Sequence, residues 1–146
     1  MLIDLIRSSD DFDPNLSLVA EDEGEVIGHV LFSKVAIEGT RTFEVCCLAP
    51  LAVHPDHQNR GAGSALTEEG LRRLDHMGEP MVILEGIPSY YPRFGFERAS
   101  QHGLEPPSSL VPDEAFMIRR LTSYDPRIRG RVVYPSAFSD SDCVGP

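Results

Sequence analysis

At 146 residues, with 41% hydrophobic and 25% charged side chains, the chain fits one domain over residues 1–146 that can bury a core without covalent staples. Its formal charge of −10 argues against a nucleic-acid partner, because duplex binding draws on Lys and Arg to displace counterions, and it suits a cationic amine better. No apolar run nears the roughly 20 residues of a membrane span, and the opening Met1-Leu2-Ile3-Asp4-Leu5-Ile6-Arg7 is too short and too early in acid for a secretory signal, so no membrane partner and a cytoplasmic location are expected.

Residues 2–7 read as one helical turn or two, broken by the acids and proline of 10–14. Residues 16–20 read as a strand, 21–25 as a turn centred on Asp22, Glu23 and Gly24, and 26–37 as a second strand, giving a hairpin. After Glu38, Gly39 and Thr40, a third strand begins at Phe43 and runs towards Val53, completing a three-stranded antiparallel meander. Pro50 cannot donate a ladder hydrogen bond, so this strand should bulge or part from a neighbour near Leu51.

From Gly61 the period changes: Ala62, Leu66, Gly70, Leu74 and Met77 fall on one helical face, which Gly78 and Pro80 end. Residues 81–84 suit a central strand and 88–94 a brief helix entered through a proline. Residues 101–113 carry three prolines and are either a substrate-side loop or a mobile excursion. Residues 115–121 and 130–134 read as strands, before a polar tail over 135–146.

The junction from His54 to Ala65 joins a strand to a helix through Gly61 and Gly63, with Arg60 beside them. The first N–H groups of a helix lack intrahelical partners and the dipole is positive there, so such a junction suits a phosphate. A nucleotide P-loop needs Gly-Lys followed by Ser or Thr, whereas Ser64 and Ala65 follow Gly63; a dinucleotide fingerprint needs a third glycine where Leu66 stands. Neither is present. Taken alone, the glycine pair also reads as plain capping chemistry.

Gln58, Gly61 and Gly63 match Gln or Arg, two residues, Gly, one residue, then Gly or Ala; the strand end Leu51-Ala52-Val53 precedes them, and Tyr91 stands four residues before Gly95-Phe96. In these features, over roughly residues 16–121, the chain resembles the GNAT superfamily of N-acetyltransferases, and the phrases Ala49-Pro50-Leu51-Ala52-Val53 and Pro88-Ser89-Tyr90-Tyr91-Pro92-Arg93-Phe94-Gly95-Phe96 look like a bacterial branch of it. The resemblance implies an α+β fold with a mixed, mainly antiparallel central sheet, a β-meander, a cofactor-binding helix after the fourth family strand and helices on both faces. It implies acetyl-CoA as cosubstrate and a primary amine as acceptor. Leu51, Ala52 and Val53 would take the pantetheine arm, and Gln58, Asn59, Arg60, Gly61, Ala62, Gly63 and Ser64 the pyrophosphate.

By the same likeness Tyr91 is the general acid that protonates the departing thiolate; a core tyrosine tied to a carbonyl is the alternative. Glu44 and Glu85 are the candidates for a general base, with a water chain as the other route. Cys46 and Cys47 are adjacent and Cys143 is distant, so they form neither a disulfide framework nor a zinc spacing and read as reduced structural thiols rather than acyl carriers; no metal is expected. His54 and His57 read as exposed loop histidines. Residues 1–15 are short for the family, whose first strand and much of its first helix are expected to be missing. A homodimer through the sheet edge so left open, and a non-catalytic acyl-CoA-binding module, stand as the alternatives this shortness raises.

Overall fold

The expected hairpin is formed by β2 (Leu16–Asp22) and β3 (Glu25–Glu38), with Asp22 opposite Glu25. The two residues between them, Glu23 and Gly24, have φ of 53° and 81°. Such a pair of left-handed residues matches the twist of the strands it joins. β4 (Thr42–Val53) pairs antiparallel with β3 and completes the meander. The computed structural model describes residues 4–7, 16–53 and 61–133.

One element differs in type from its sequence reading. Asp4–Arg7 is a strand, β1, antiparallel to β2 from Asp4 opposite Glu21 to Arg7 opposite Leu18. A segment this short has no periodicity to declare itself, and the ladder offered by the edge of β2 decides its conformation. A strand thus precedes the hairpin, and the open β2 edge expected to favour dimerisation is covered by β1.

Beyond the meander come α1 (Ala62–His76), β5 (Met81–Glu85), β6 (Glu97–Arg98), β7 (Leu104–Glu105), β8 (Phe116–Arg120) and β9 (Gly130–Val133). The sheet runs β1-β2-β3-β4-β5-β8-β6, and β9 pairs with β3 and β7. Its ladders are antiparallel apart from β4 with β5 and β7 with β9, which makes the sheet mixed and mainly antiparallel, as expected of an α+β fold.

Each face of the sheet carries its own core. Alternation along the strands sends Phe32, Cys46, Leu48, Val82, Leu84 and Met117 to the side covered by α1. It sends Val35, Ile37, Val45, Cys47, Ile83 and Ile118 to the other. α1 docks through Ala62, Leu66, Thr67, Gly70, Leu71 and Leu74, largely the face its period of four predicts. Met77 departs from that expectation and is 48% exposed, because the helix has ended at His76 and Met77 only caps it.

The helices on the two faces are unequal. α1 and a 3-10 turn at Tyr91–Phe94 share one face, while a 3-10 turn at Ala99–His102 packs Ala99 on the other. Within the segment read as irregular, β7 ties into the sheet through β9, leaving 106–112 as the loop that carries Leu110 at 89% exposure.

Candidate active site

β4 is disturbed where Pro50 predicts it. Val30 lies opposite Leu51 and Phe32 opposite Leu48, so three steps on β4 answer two on β3 and one extra residue bulges out of β4. On its other edge β4 meets β5 only at Cys46 opposite Val82 and Cys47 opposite Ile83. β5 continues to Glu85, paired with Phe116 of β8. The two parallel strands therefore part beyond Cys47 and Ile83. Leu51, Ala52 and Val53 remain paired to β3 through Val30, His29 and Gly28, and among the described residues no strand lies opposite their ladder groups on the β5 side. Such an edge is a template for an extended polar ligand.

α1 begins at the same end of the sheet. Gly61 is its N-cap, with φ 88° and ψ 0° and no side-chain cap, a conformation that favours glycine. The first intrahelical bond runs from the Ala65 N–H to the Gly61 carbonyl at 2.9 Å, so the N–H groups of Ala62, Gly63 and Ser64 precede the ladder. The first turn carries no acidic residue. These features suit an anion. His54, His57, Gln58, Asn59 and Arg60 lie outside the described residues.

Tyr91 opens the 3-10 turn that follows β5 and is fully buried. Its ring meets Tyr90 edge-on at 5.0 Å and Phe96 at 5.7 Å, and it occupies the space where a Cβ on Gly86 would stand. Gly86 in turn donates its N–H to the Ala115 carbonyl at 2.9 Å. The ring thus lies against the end of β5, where β4 has left it. The Tyr91 hydroxyl is buried with no hydrogen-bond partner among the described residues, so it is not tied to a carbonyl. Burial, with a smaller contribution from Tyr90, pushes its pKa well above the usual phenol value. The group therefore keeps its proton at neutral pH and can present it to a charged acceptor beside it.

The two acids proposed as bases are placed very differently. Glu85 ends β5 and is half-buried. Leu84 belongs to the α1 face, so alternation puts Glu85 on the opposite face of the sheet from Tyr91. The gap between β4 and β5 thus has a phenol on one side and a carboxyl on the other. Glu44 lies opposite Ala36, exposed and seven residues before Leu51, which is roughly 20 Å along the strand. The structure does not bring it to the gap.

Cys46 is also set back from the gap. Its thiol lies 3.4 Å from Glu79 Oε1, whose carboxylate holds Lys34 Nζ at 2.7 Å. Burial first, then the Glu79 charge, pushes the Cys46 thiol up to about 12, so it is inert as an acyl carrier. Cys46 is free, and Cys47 is disulfide-bonded, which departs from the reading of reduced thiols throughout. The role of Gly86 was missed in the sequence. A glycine directly after a buried apolar strand and shortly before two tyrosines was the signal available.

Residues 6–99 match the family model described as an acetyltransferase (GNAT) domain. The chain is 35% identical over 123 residues to the uncharacterized N-acetyltransferase YjhQ of Escherichia coli K12, covering 82% of this chain and 68% of that protein. It is 43% identical over 90 residues to YhbS of the same strain, spanning 61% of this chain and 53% of YhbS. The crystal structure of Escherichia coli YhbS in complex with CoA superposes with a TM-score of 0.78 at 36% identity, covering 90% of this chain and 73% of that one. A GNAT family acetyltransferase from Brucella melitensis in complex with acetyl-CoA follows with a TM-score of 0.66 at 35% identity, over 85% of this chain and 68% of that one. With the parted strands, the glycine-started helix and the orphaned phenol in the positions described, this chain belongs to the GNAT acetyltransferase family.

Proposed function

We propose that this chain is a single-domain, cytoplasmic N-acetyltransferase that moves the acetyl group of acetyl-CoA to a primary amine by direct attack. The observation that carries the reading is the gap between β4 and β5 with a buried, unpartnered phenol at its margin, in a chain whose relatives were crystallised with CoA and acetyl-CoA. The open edge of β4 at Leu51, Ala52 and Val53 would hydrogen-bond the pantetheine arm as a neighbouring strand does. The leading N–H groups of α1, from Ala62 to Ser64, would take the pyrophosphate, with Gln58, Asn59 and Arg60 beside them.

The acceptor amine approaches from the side of Glu85, which draws off its proton directly or through water. The carbon–sulfur bond of the thioester breaks as the carbon–nitrogen bond forms. A backbone N–H near Leu51 faces the carbonyl oxygen as charge develops there. The leaving sulfur takes the proton of Tyr91, whose hydroxyl is restored by the proton the amine has given up. A phenol with a raised pKa cannot serve as the base for the amine, so acid and base fall to different faces of the sheet.

The test is thiol release from acetyl-CoA by the purified chain across a panel of primary amines. Release that rises with particular amines supports transfer. Release that stays flat across the panel despite tight coenzyme A binding would instead identify an acyl-CoA-binding module.

A further inference from the structure

On the α1 face, away from the gap, lies a pocket of about 420 Å³ lined by Arg72, Arg93 and Arg119 around the apolar side chains of Leu71, Phe94 and Leu121. Its α1 residues, Glu68 to Asp75, stand seven to fourteen positions beyond Gly61, roughly 10–20 Å along the helix. On the sheet it borders the start of β5, because Arg119 pairs opposite Val82 and the Leu121 N–H donates to the Pro80 carbonyl.

Two of these arginines, like Arg129 beside the Pro126 carbonyl, meet no carboxylate among the described residues. Arg73, Arg98, Arg120, Arg127 and Arg131 each meet a carboxylate. Arg93 and Arg119 have none among the described residues: Arg93 Nε donates to the Tyr90 carbonyl at 3.0 Å and its guanidinium stacks on the Tyr90 ring at 4.7 Å. Arg119 Nε donates to the Phe94 carbonyl at 3.0 Å, and its Nη1 to the Arg120 carbonyl. Both guanidinium groups are oriented by backbone carbonyls and make no direct ion pair among the described residues. Arg72, bound to Glu69, approaches from α1. Glu68 and Asp75 also line the pocket, with Asp75 accepting from the Thr122 N–H and hydroxyl at 2.8 and 3.0 Å.

We propose that this pocket binds a phosphate monoester on a planar, donor-bearing body, as a nucleotide provides, with the phosphate between Arg93 and Arg119. The guanidinium groups of Arg93 and Arg119, from two separate elements, suit a dianion with three terminal oxygens better than a carboxylate, which one fork satisfies, while Arg72 gives its Nε and Nη2 to Glu69. Leu71, Phe94 and Leu121 offer a surface for a flat ring. Glu68 and Asp75 repel an anion on their side and accept from ring amines or hydroxyls, which sets the ligand's direction. The volume lies within the range of small-ligand sites.

The test is titration of the full chain with 5′-AMP, inorganic phosphate and adenosine at fixed ionic strength. Saturable binding of 5′-AMP, weaker binding of phosphate and none of adenosine are expected. Arg93→Gln, on an exposed turn, should weaken 5′-AMP about tenfold or more; Arg119→Gln should do the same, and Arg93→Gln keeps the test open if loss of the Phe94 contact unfolds that variant. Displacement by neither coenzyme A nor dephospho-coenzyme A is expected of a nucleotide separate from the cosubstrate; displacement by coenzyme A would assign the pocket to the cosubstrate and overturn the proposal. Absence of saturable 5′-AMP binding, indifference to both substitutions, or displacement by dephospho-coenzyme A also overturns it. Binding is read without turnover, so the outcome is independent of acetyl transfer.

Discussion

A hydroxyl buried without a partner costs on the order of 1–3 kcal/mol, and Tyr91 bears that cost at the margin of the gap. Replacing it with Phe deletes the unsatisfied group and keeps the ring. Tyr91→Phe should therefore raise the melting temperature while lowering turnover about 100-fold or more, with coenzyme A affinity unchanged. Thermal melts and steady-state kinetics on one preparation check both, and a variant that melts lower yet turns over normally would remove the hydroxyl from the chemistry. Tyr91 could be picked out in the sequence through the family resemblance, because the pattern that marks it, a Tyr four residues before Gly95 and Phe96, is local. Gly86 could not, because its contribution is the room it leaves for a ring that folds back onto β5. Glu44 and Glu85 looked equivalent as strand acids, and only the pairing of β4 with β5 separates them.

α1 shows how an element's stability divides between sheet-facing fit and surface charge. Gly70 sits over the buried ring of Phe32, where a Cβ would collide with ring carbons. Alanine gains about 1 kcal/mol in helix propensity, but overpacking a core costs about 1–3 kcal/mol. Gly70→Ala should therefore be destabilising by about 1 kcal/mol net, measurable by urea unfolding. On the outer side, Glu69 accepts from Arg72 at 2.5 Å and Arg73 at 2.6 Å. Those hydrogen bonds, Arg72's first, hold its carboxyl at about 2 against an ordinary 4.5. A depressed carboxyl pKa contributes stability above the unfolded value and loses it as pH falls towards the folded one. Glu69→Gln should accordingly melt below the wild type at neutral pH, and the difference should shrink as pH falls from 4.5 towards 2, as thermal melts across that window would show. The helix was legible because its face repeats every four residues, and the bulge because Pro50 lacks a donor. β1 was misread because four residues carry no period and their partner lies elsewhere in the chain.

At the scale of the molecule, β1 protects an edge. Its ladder to β2 runs from Asp4 to Arg7, and a chain begun at Leu16 would present the β2 edge to solvent. That shortened chain should self-associate more than the full chain, as light scattering after size exclusion would reveal; equal association of the two would show that the β2 edge is protected by other means. What no local pattern could reveal is the way distant strands share β3. Its first half is flanked by β2, while Ala36, Ile37 and Glu38 pair on that side with Val133, Val132 and Arg131. Nearly a hundred residues separate those partners, and at a synthesis rate of about 5–20 residues per second the end of β3 would wait about 5–20 s for β9 to be made. During that interval the nascent chain carries a half-covered strand ending in alternating apolar residues. Slow closure of the sheet, and a window for chaperone capture on the ribosome, follow from one strand having its last neighbour nearly a hundred residues further along the chain.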